Sequence, residues 1–219
     1  MPQAAVVNRS IDQANRAGAY RPASGYSQQQ NMIMEAFRAE EYIKDQMDVQ
    51  AEPVYDTIVL PIAAVIAQGS TTAQYFKNIQ NKTLNLTNMT ESGQLMNPEA
   101  LAIFAYRFYL DPRNEVLDSE NVLAGFAFVF TMGRKPYQTI PLWMIPQGGG
   151  LDVEGGGAVA VVHNGRPMKE SIRPIAITLV LEQGVNFVGD LIGPNYTIYS
   201  SFGFISQMNL DGLHARGIQ

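Results

Sequence analysis

Three rows of alternating apolar side chains form the clearest pattern in this sequence, and they predict β-strands. Successive side chains of a strand point to opposite faces of a sheet, so the members of each row are expected to share one face. Three aromatic or aliphatic rows fill the space between two facing sheets, which predicts an antiparallel β-sandwich. The rows are Phe104, Tyr106 and Phe108; Phe126, Phe128 and Phe130; and Ile175, Ile177, Leu179 and Leu181.

Short runs of β-branched and aromatic residues, separated by Gly, Pro, Asn and Asp, continue over residues 54–219. They predict one all-β domain, because a parallel α/β sheet needs helical patterns of about ten or more residues between its strands. After Pro53 only 97–105 competes for helix, and 111–121 is expected to be a long loop of the Greek-key kind. The predicted strands are 55–66, 74–79, 83–87, 101–110, 122–132, 139–145, 158–163, 172–182, 184–188 and 196–208.

The first fifty residues differ from the β-rich body. Residues 1–30 are rich in Gln, Asn, Ser, Ala and Gly and lack a sustained apolar period, which predicts a flexible polar arm. Residues 31–50 favour helix, with an apolar stripe opposite an acidic face, and predict an amphipathic helix that packs on the domain's own sheet or on a neighbouring subunit. The stripe consists of Met32, Ala36, Ala39, Ile43 and Met47.

Composition points to contact with other proteins. Hydrophobic residues make up 46% and charged residues only 16%, against roughly 25% charged in an ordinary globular protein, so much of the surface is uncharged and suited to partners. The net charge of -5 argues against a domain whose main role is to bind the phosphate backbone of a nucleic acid. A small basic excess in the arm leaves two alternatives there, a weak contact with nucleic acid or an acidic neighbour, and a tail without such a role.

The chain has no cysteine, which excludes disulfides and zinc fingers and fits synthesis in a reducing cytoplasm. We expect no secretory signal, because the N-terminus lacks a charged start followed by an apolar run. His163 and His214 are the only histidines, and both are expected to be solvated, His163 at a strand end and His214 in a polar tail. The glycine clusters 148–150 and 155–157 predict loops, since neither carries the Lys-Ser/Thr of a phosphate-binding loop.

Three carboxylates, Glu115, Asp118 and Glu120, crowd one predicted loop. They either bind calcium or keep a sheet edge soluble, and the second interpretation is favoured because their spacing does not match a calcium loop. No catalytic, cofactor or metal-binding residue is therefore predicted, and the protein is not expected to be an enzyme. A cupin-type enzyme is disfavoured because its metal site normally takes several histidines.

The lone tryptophan, Trp143, lies in an apolar run fenced by Pro141 and Pro146. It is predicted to belong to the core or to a contact between subunits. Aromatic residues near a sheet edge also stack on sugars, which makes a carbohydrate-binding β-sandwich module an alternative. The stretch from Tyr196 to Phe204 carries no charge, and neighbouring copies are expected to cover such a margin.

One segment resembles a known family. Residues 76–108, FKNIQNKTLNLTNMTESGQLMNPEALAIFAYRF, are similar to the front part of jelly-roll major capsid proteins of small icosahedral bacteriophages, in which Thr-Asn-Met and Gly-Gln-Leu type turns precede a strand. The resemblance implies a jelly-roll sandwich that assembles into capsomers, with the arm and helix contacting neighbours, the inner face of the shell or an internal membrane.

These observations together predict a self-assembling coat subunit of an icosahedral virion, made in the host cytoplasm. Its expected partners are copies of itself and other virion proteins, with no small-molecule substrate and no cofactor. A minor capsid or cement protein of the same fold remains an alternative, as does the carbohydrate-binding module. The residues predicted to take part in assembly are Met32, Ala36, Ile43, Met47 and Trp143.

Overall fold

The computed structural model describes residues 47–111, 113–145, 152–154, 161–163 and 173–217, and these residues are mostly β-strand. One α-helix, α1 (Val116–Gly125), and two short 3-10 turns, Thr71–Ala73 and Leu142–Met144, occur within this part of the chain. The strands are β1 (Met47–Ala51), β2 (Val54–Leu60), β3 (Val65–Ile66), β4 (Gln74–Tyr75), β5 (Ala100–Leu110), β6 (Ala127–Met132), β7 (Lys135–Pro141), β8 (Asp152–Glu154), β9 (Val161–His163), β10 (Arg173–Leu181), β11 (Phe187–Ile192), β12 (Tyr196–Thr197) and β13 (Phe204–Gly217).

Two antiparallel sheets form the body. In the first, β13 is flanked by β5 on one side and by β1 and β2, in succession along its length, on the other, and β10 follows β5. The second has the order β4-β11-β6-β7. Two small ribbons, β3 with β12 and β8 with β9, complete the pairing. The prediction of a mostly β, antiparallel sandwich-like fold is confirmed.

Aromatic rings fill the space between the sheets. The ring of Tyr106, on β5, lies 5.5 Å from that of Phe128 and 5.9 Å from that of Phe130, both on β6 of the other sheet. The hydroxyls of Tyr75, on β4, and Ser206, on β13, lie 2.6 Å apart and join the sheets by a hydrogen bond. Burying a large apolar side chain contributes roughly 1.5–3 kcal/mol, so this layer supplies much of the stability.

The predicted aromatic row on β5 is wrong at Phe104. A register shift between Asp211 and Gly212 of β13 makes an extra residue of β5 bulge out, so that Gly212 pairs with Ile103 and Asp211 with Ala105. Ile103 and Tyr106 consequently face the same core, while Phe104 packs against a second cluster on the other face of the sheet. That second cluster consists of Ala100, Ala102, Leu213 and Ala215, with Val49, Phe104 and Val180 packed against it.

The predicted helix at 31–50 is wrong at its C-terminal end, because Met47–Ala51 form strand β1. Exposed Asp48 and Gln50 alternate with half-buried Val49, which is the period of a strand on a sheet edge. The rest of that helix, with Met32, Ala36 and Ile43, and the whole predicted arm 1–30, lie outside the described residues.

Helix α1 corrects the prediction of a loop at 111–121 and of a strand that starts at 122. Asp118, Ser119, Val122 and Leu123 are its buried residues and lie on one helical stripe. Half of that stripe is polar, so no apolar helical period appears in the sequence. The predicted strand at 83–87 is also absent: residues 84–86 form turns, and only Thr87 makes an isolated β-bridge, to Asp56.

Candidate functional site

A buried ion pair lies at the edge strand β2. Asp56, which is fully buried, accepts hydrogen bonds from Lys82 Nζ at 2.7 and 2.9 Å and from the backbone N–H of Phe76 at 2.7 Å. Lys82 keeps 15% of its side chain exposed. Burial raises the pKa of Asp56 and outweighs the opposing hydrogen bond and charge of Lys82. This pair therefore has a structural role: it joins Lys82 and the backbone of Phe76 to β2.

Further hydrogen bonds hold the segment 82–89 along β2. The backbone N–H of Tyr55 donates to Asn88 Oδ1 at 2.9 Å, Asn88 Nδ2 donates to the carbonyl of Pro53 at 2.8 Å, and the Thr87 hydroxyl donates to the carbonyl of Tyr55 at 3.0 Å. An edge strand with unpaired backbone groups invites pairing with another chain. Residues 82–89 therefore cover the outer edge of the first sheet.

His214 is buried, which corrects the prediction of a solvated tail residue. It lies in β13 with 2% of its surface exposed, and its Nε2 is 3.5 Å from Glu99 Oε2. Arg216 Nε donates to His214 Nδ1 at 3.2 Å. Although burial raises the pKa of Glu99, its contact with His214 and the charge of Arg216 together hold it below its usual value. His163 ends β9, and its side chain is outside the described part.

The three predicted loop carboxylates separate in the structure. Glu115 and Glu120 are exposed, whereas Asp118 is fully buried in α1. Asp118 accepts hydrogen bonds from the Tyr196 hydroxyl at 2.6 Å and from the backbone N–H groups of Tyr199 and Ser200 at 3.2 and 2.8 Å. Burial, followed by the hydrogen bond to Asp118, raises the pKa of Tyr196 to about 12. Asp118 thus fastens the loop between β11 and β13 to α1, which neither sequence interpretation anticipated.

Replacing Asp118 with alanine is expected to lower the free energy of unfolding by about 2 kcal/mol, because buried backbone donors then lose their acceptor. The amide hydrogens of Tyr199 and Ser200 should exchange faster with solvent, which hydrogen exchange read by mass spectrometry measures. Glu120→Ala, an exposed carboxylate of the same helix, is the matched control and should leave both quantities unchanged. Equal effects of the two substitutions would contradict the role given to Asp118.

Two loops meet at one end of the sandwich. The loop 61–73 follows β2 and the loop 193–203 precedes β13, and they are joined by the ribbon of β3 and β12. The N–H of Ala63 donates to the carbonyl of Ile198, and the N–H of Ile198 to the carbonyl of Ala64, both at 2.9 Å. Neither loop contains a charged residue.

Large apolar side chains are exposed on this uncharged pair of loops. Phe202 is 83% exposed at the tip of a turn, and Leu117 of α1 is exposed beside Asp118, which holds the second loop. Trp143 lies at the same end, because α1 packs against the turn Leu142–Met144. We call this surface the apolar end. It consists of the exposed side chains of Ile62, Val65, Tyr199 and Phe202 from the two loops, together with Leu117 of α1 and Trp143 of the turn that packs on α1.

Trp143 is 60% exposed and therefore not part of the core, which corrects one half of the sequence interpretation; a role in subunit contact stays a prediction. Met47 lies in β1 of the first sheet, and the structure does not place it with Trp143, which follows β7 of the second. The sequence prediction missed Ile62, Val65 and Leu117. The uncharged run over 61–73 was the available signal, but it was interpreted as the end of a strand.

Within the described part of the chain, no group of three or more His, Asp or Glu side chains is placed to hold a metal ion. No helix found there combines the length and the apolar character needed to cross a membrane. No protein-family model matches this sequence, and comparison with curated proteins and with solved structures likewise gave no match.

Proposed function

We propose that this chain is a jelly-roll coat subunit that assembles with copies of itself into the shell of a virion. In a jelly roll, eight strands lettered B to I in chain order form the sheets B-I-D-G and C-H-E-F. With the four short ribbon strands set aside and β1 counted with β2, the two sheet orders follow this scheme. β2, β13, β5 and β10 then take the places of B, I, D and G, and β4, β11, β6 and β7 those of C, H, E and F.

The strand order is the observation that carries the fold proposal, and the apolar end carries the step to assembly. Many functions share this fold, so the function must rest on a site. Six large apolar side chains are exposed at this end of the sandwich, four of them on loops without charge, which is typical of a surface that another protein covers. The similarity of residues 76–108 to phage coat proteins also supports this choice.

Size measurement of the purified chain tests the proposal. At micromolar concentration, light scattering coupled to size exclusion and electron microscopy are expected to reveal trimers, pentamers or larger shells. A monodisperse monomer under these conditions would contradict the proposal. A discrete oligomer that never forms shells, but binds to preformed virions, would favour a minor coat or cement protein of the same fold.

Exposure of Trp143 supports a second candidate, a carbohydrate-binding module, because a solvent-exposed indole offers a flat apolar surface to a sugar ring. Trp143 is the sole tryptophan, so its fluorescence reports directly on such binding. Saturable fluorescence changes with one glycan, lost in Trp143→Ala, together with a monomeric state, would favour this candidate over the coat subunit.

A further inference from the structure

We infer that copies of this chain contact one another through the apolar end, with Phe202 as the main anchor. The inference rests on the proposed function, since it names the surface by which the subunit assembles. It is carried by the rigid presentation of Phe202, by the grouping of apolar side chains around it and by the distribution of charge.

The backbone turn that carries Phe202 is fixed before any partner arrives. The turn that carries it is closed by a hydrogen bond from the N–H of Gly203 to the carbonyl of Ser200 at 3.0 Å, and the N–H of Ser200 is fixed on buried Asp118. Gly203 has φ of +79° and lies so close to the carbonyl of Leu60 that the turn rests directly on the end of β2. A backbone turn that is already ordered loses little conformational entropy on binding, which suits Phe202 to be an interface anchor.

The neighbours of Phe202 extend the surface. Val65 pairs with Thr197 across the β3–β12 ribbon, and the ring of Tyr199 lies 5.8 Å from that of Tyr196. Ile62, Val65 and Tyr199 are all exposed. The backbone hydrogen bonds between the two loops fix the backbone positions that carry these side chains, so the loops need not fold on contact.

For copies that assemble as proposed, charge favours contact at this surface over contact elsewhere. Each copy carries a net charge of -5, so two copies repel each other over most approaches. The loops 61–73 and 193–203 contain no charged residue, and contact there avoids placing like charges together. A partner recognised by charge would find no counter-charge on these loops, and an anionic membrane would find no Lys or Arg. The same end of a sister molecule satisfies both conditions.

Comparison of two aspartate substitutions tests this inference. Phe202→Asp should weaken self-association of the full-length chain at least about ten-fold, the loss expected at an interface anchor, as measured by sedimentation velocity over a concentration series. The matched control is Leu84→Asp. Leu84 is 78% exposed, and its carbonyl accepts a hydrogen bond from the Tyr55 hydroxyl near the start of β2, away from the apolar end, so this variant should assemble like the wild type.

Each outcome bears on a different statement. If Phe202→Asp assembles like the wild type, the choice of surface is wrong but the proposed function stands. If the wild type itself is a monomer, the proposed function is contradicted as well. Equal losses in both variants would also overturn the choice of surface. Flotation with neutral and with anionic phospholipid vesicles supplies a further readout, and vesicle binding that only Phe202→Asp abolishes, without a change in assembly, would assign the apolar end to lipid. Unchanged thermal unfolding midpoints would confirm that both variants fold.

Discussion

Replacing Lys82 with methionine is expected to lower the free energy of unfolding by about 3–5 kcal/mol at neutral pH, because it leaves a buried carboxylate without its counter-charge. Asp56 is fully buried and receives two short contacts from Lys82 Nζ. Its remaining backbone partner, the N–H of Phe76, cannot compensate a full charge. Chemical denaturation of the wild type and the variant measures the loss.

The pH dependence of this loss has a defined sign. Burial already raises the pKa of Asp56 above 3.8 in the folded protein, so its contribution to stability is fully present below that value and is lost as pH rises through the raised pKa. Removing Lys82 raises the pKa further, and the deficit of the variant should therefore shrink in acid and grow toward neutrality. A deficit that is constant over this range would contradict the assignment.

A double variant separates charge from shape. Asn at position 56 still offers an oxygen to the N–H of Phe76 but carries no charge, so Asp56→Asn combined with Lys82→Met should recover much of the stability that Lys82→Met alone loses. Failure of the second substitution to restore stability would indicate that Lys82 acts through packing of its methylene chain.

Gly203→Ala is expected to cost about 2–5 kcal/mol. An L-residue in the left-handed region costs about 1–2 kcal/mol, and φ of Gly203 is +79°. A Cβ at this position would lie 2.3 Å from the carbonyl oxygen of Leu60, so the backbone must move, at a further cost of about 1–3 kcal/mol. Thermal and chemical denaturation measure the sum.

Gly69→Ala is the matched control for this prediction. Gly69 has φ of +67°, but no atom lies within 4 Å of a Cβ built on it, so only the backbone strain of about 1–2 kcal/mol is expected. The difference between the two variants isolates the contact of the Phe202 turn with β2. If both variants lose the same stability, that contact does not hold the turn.

Local alternation was sufficient to predict which side chains of β6 and of the end of β10 face the core. Phe128 and Phe130 are both buried in the central core, as their row predicted, and so are Leu179 and Leu181 of β10. The row on β5 failed at Phe104, because the bulge depends on how Gly212 of β13 approaches the strand. A Cβ on Gly212 would lie 2.4 Å from the carbonyl oxygen of Ala102, a contact that no pattern within β5 reveals.

Polar residues inside buried elements caused the other errors. Helix α1 buries Asp118 and Ser119 beside Val122 and Leu123, so its inner face does not look apolar. His214 alternates with buried Leu213 and Ala215, and that period of two was a usable sign of a strand at the C-terminal end. The apolar end combines loops that are far apart in sequence. The sequence shows that each loop lacks charge, but it does not show that the loops lie side by side.

The place of β13 inside the first sheet also has a consequence for synthesis. β2 and β5 each pair with β13 and not with each other. β5 also pairs with β10, whereas β2 gains its neighbouring strand in the sheet only after Phe204–Gly217 has left the ribosome. Pairing between strands so distant in sequence is slow because long loops must close first. β2 and one edge of β5 therefore stay exposed until β13 is made, and exposed strand edges of this kind favour aggregation of the nascent chain.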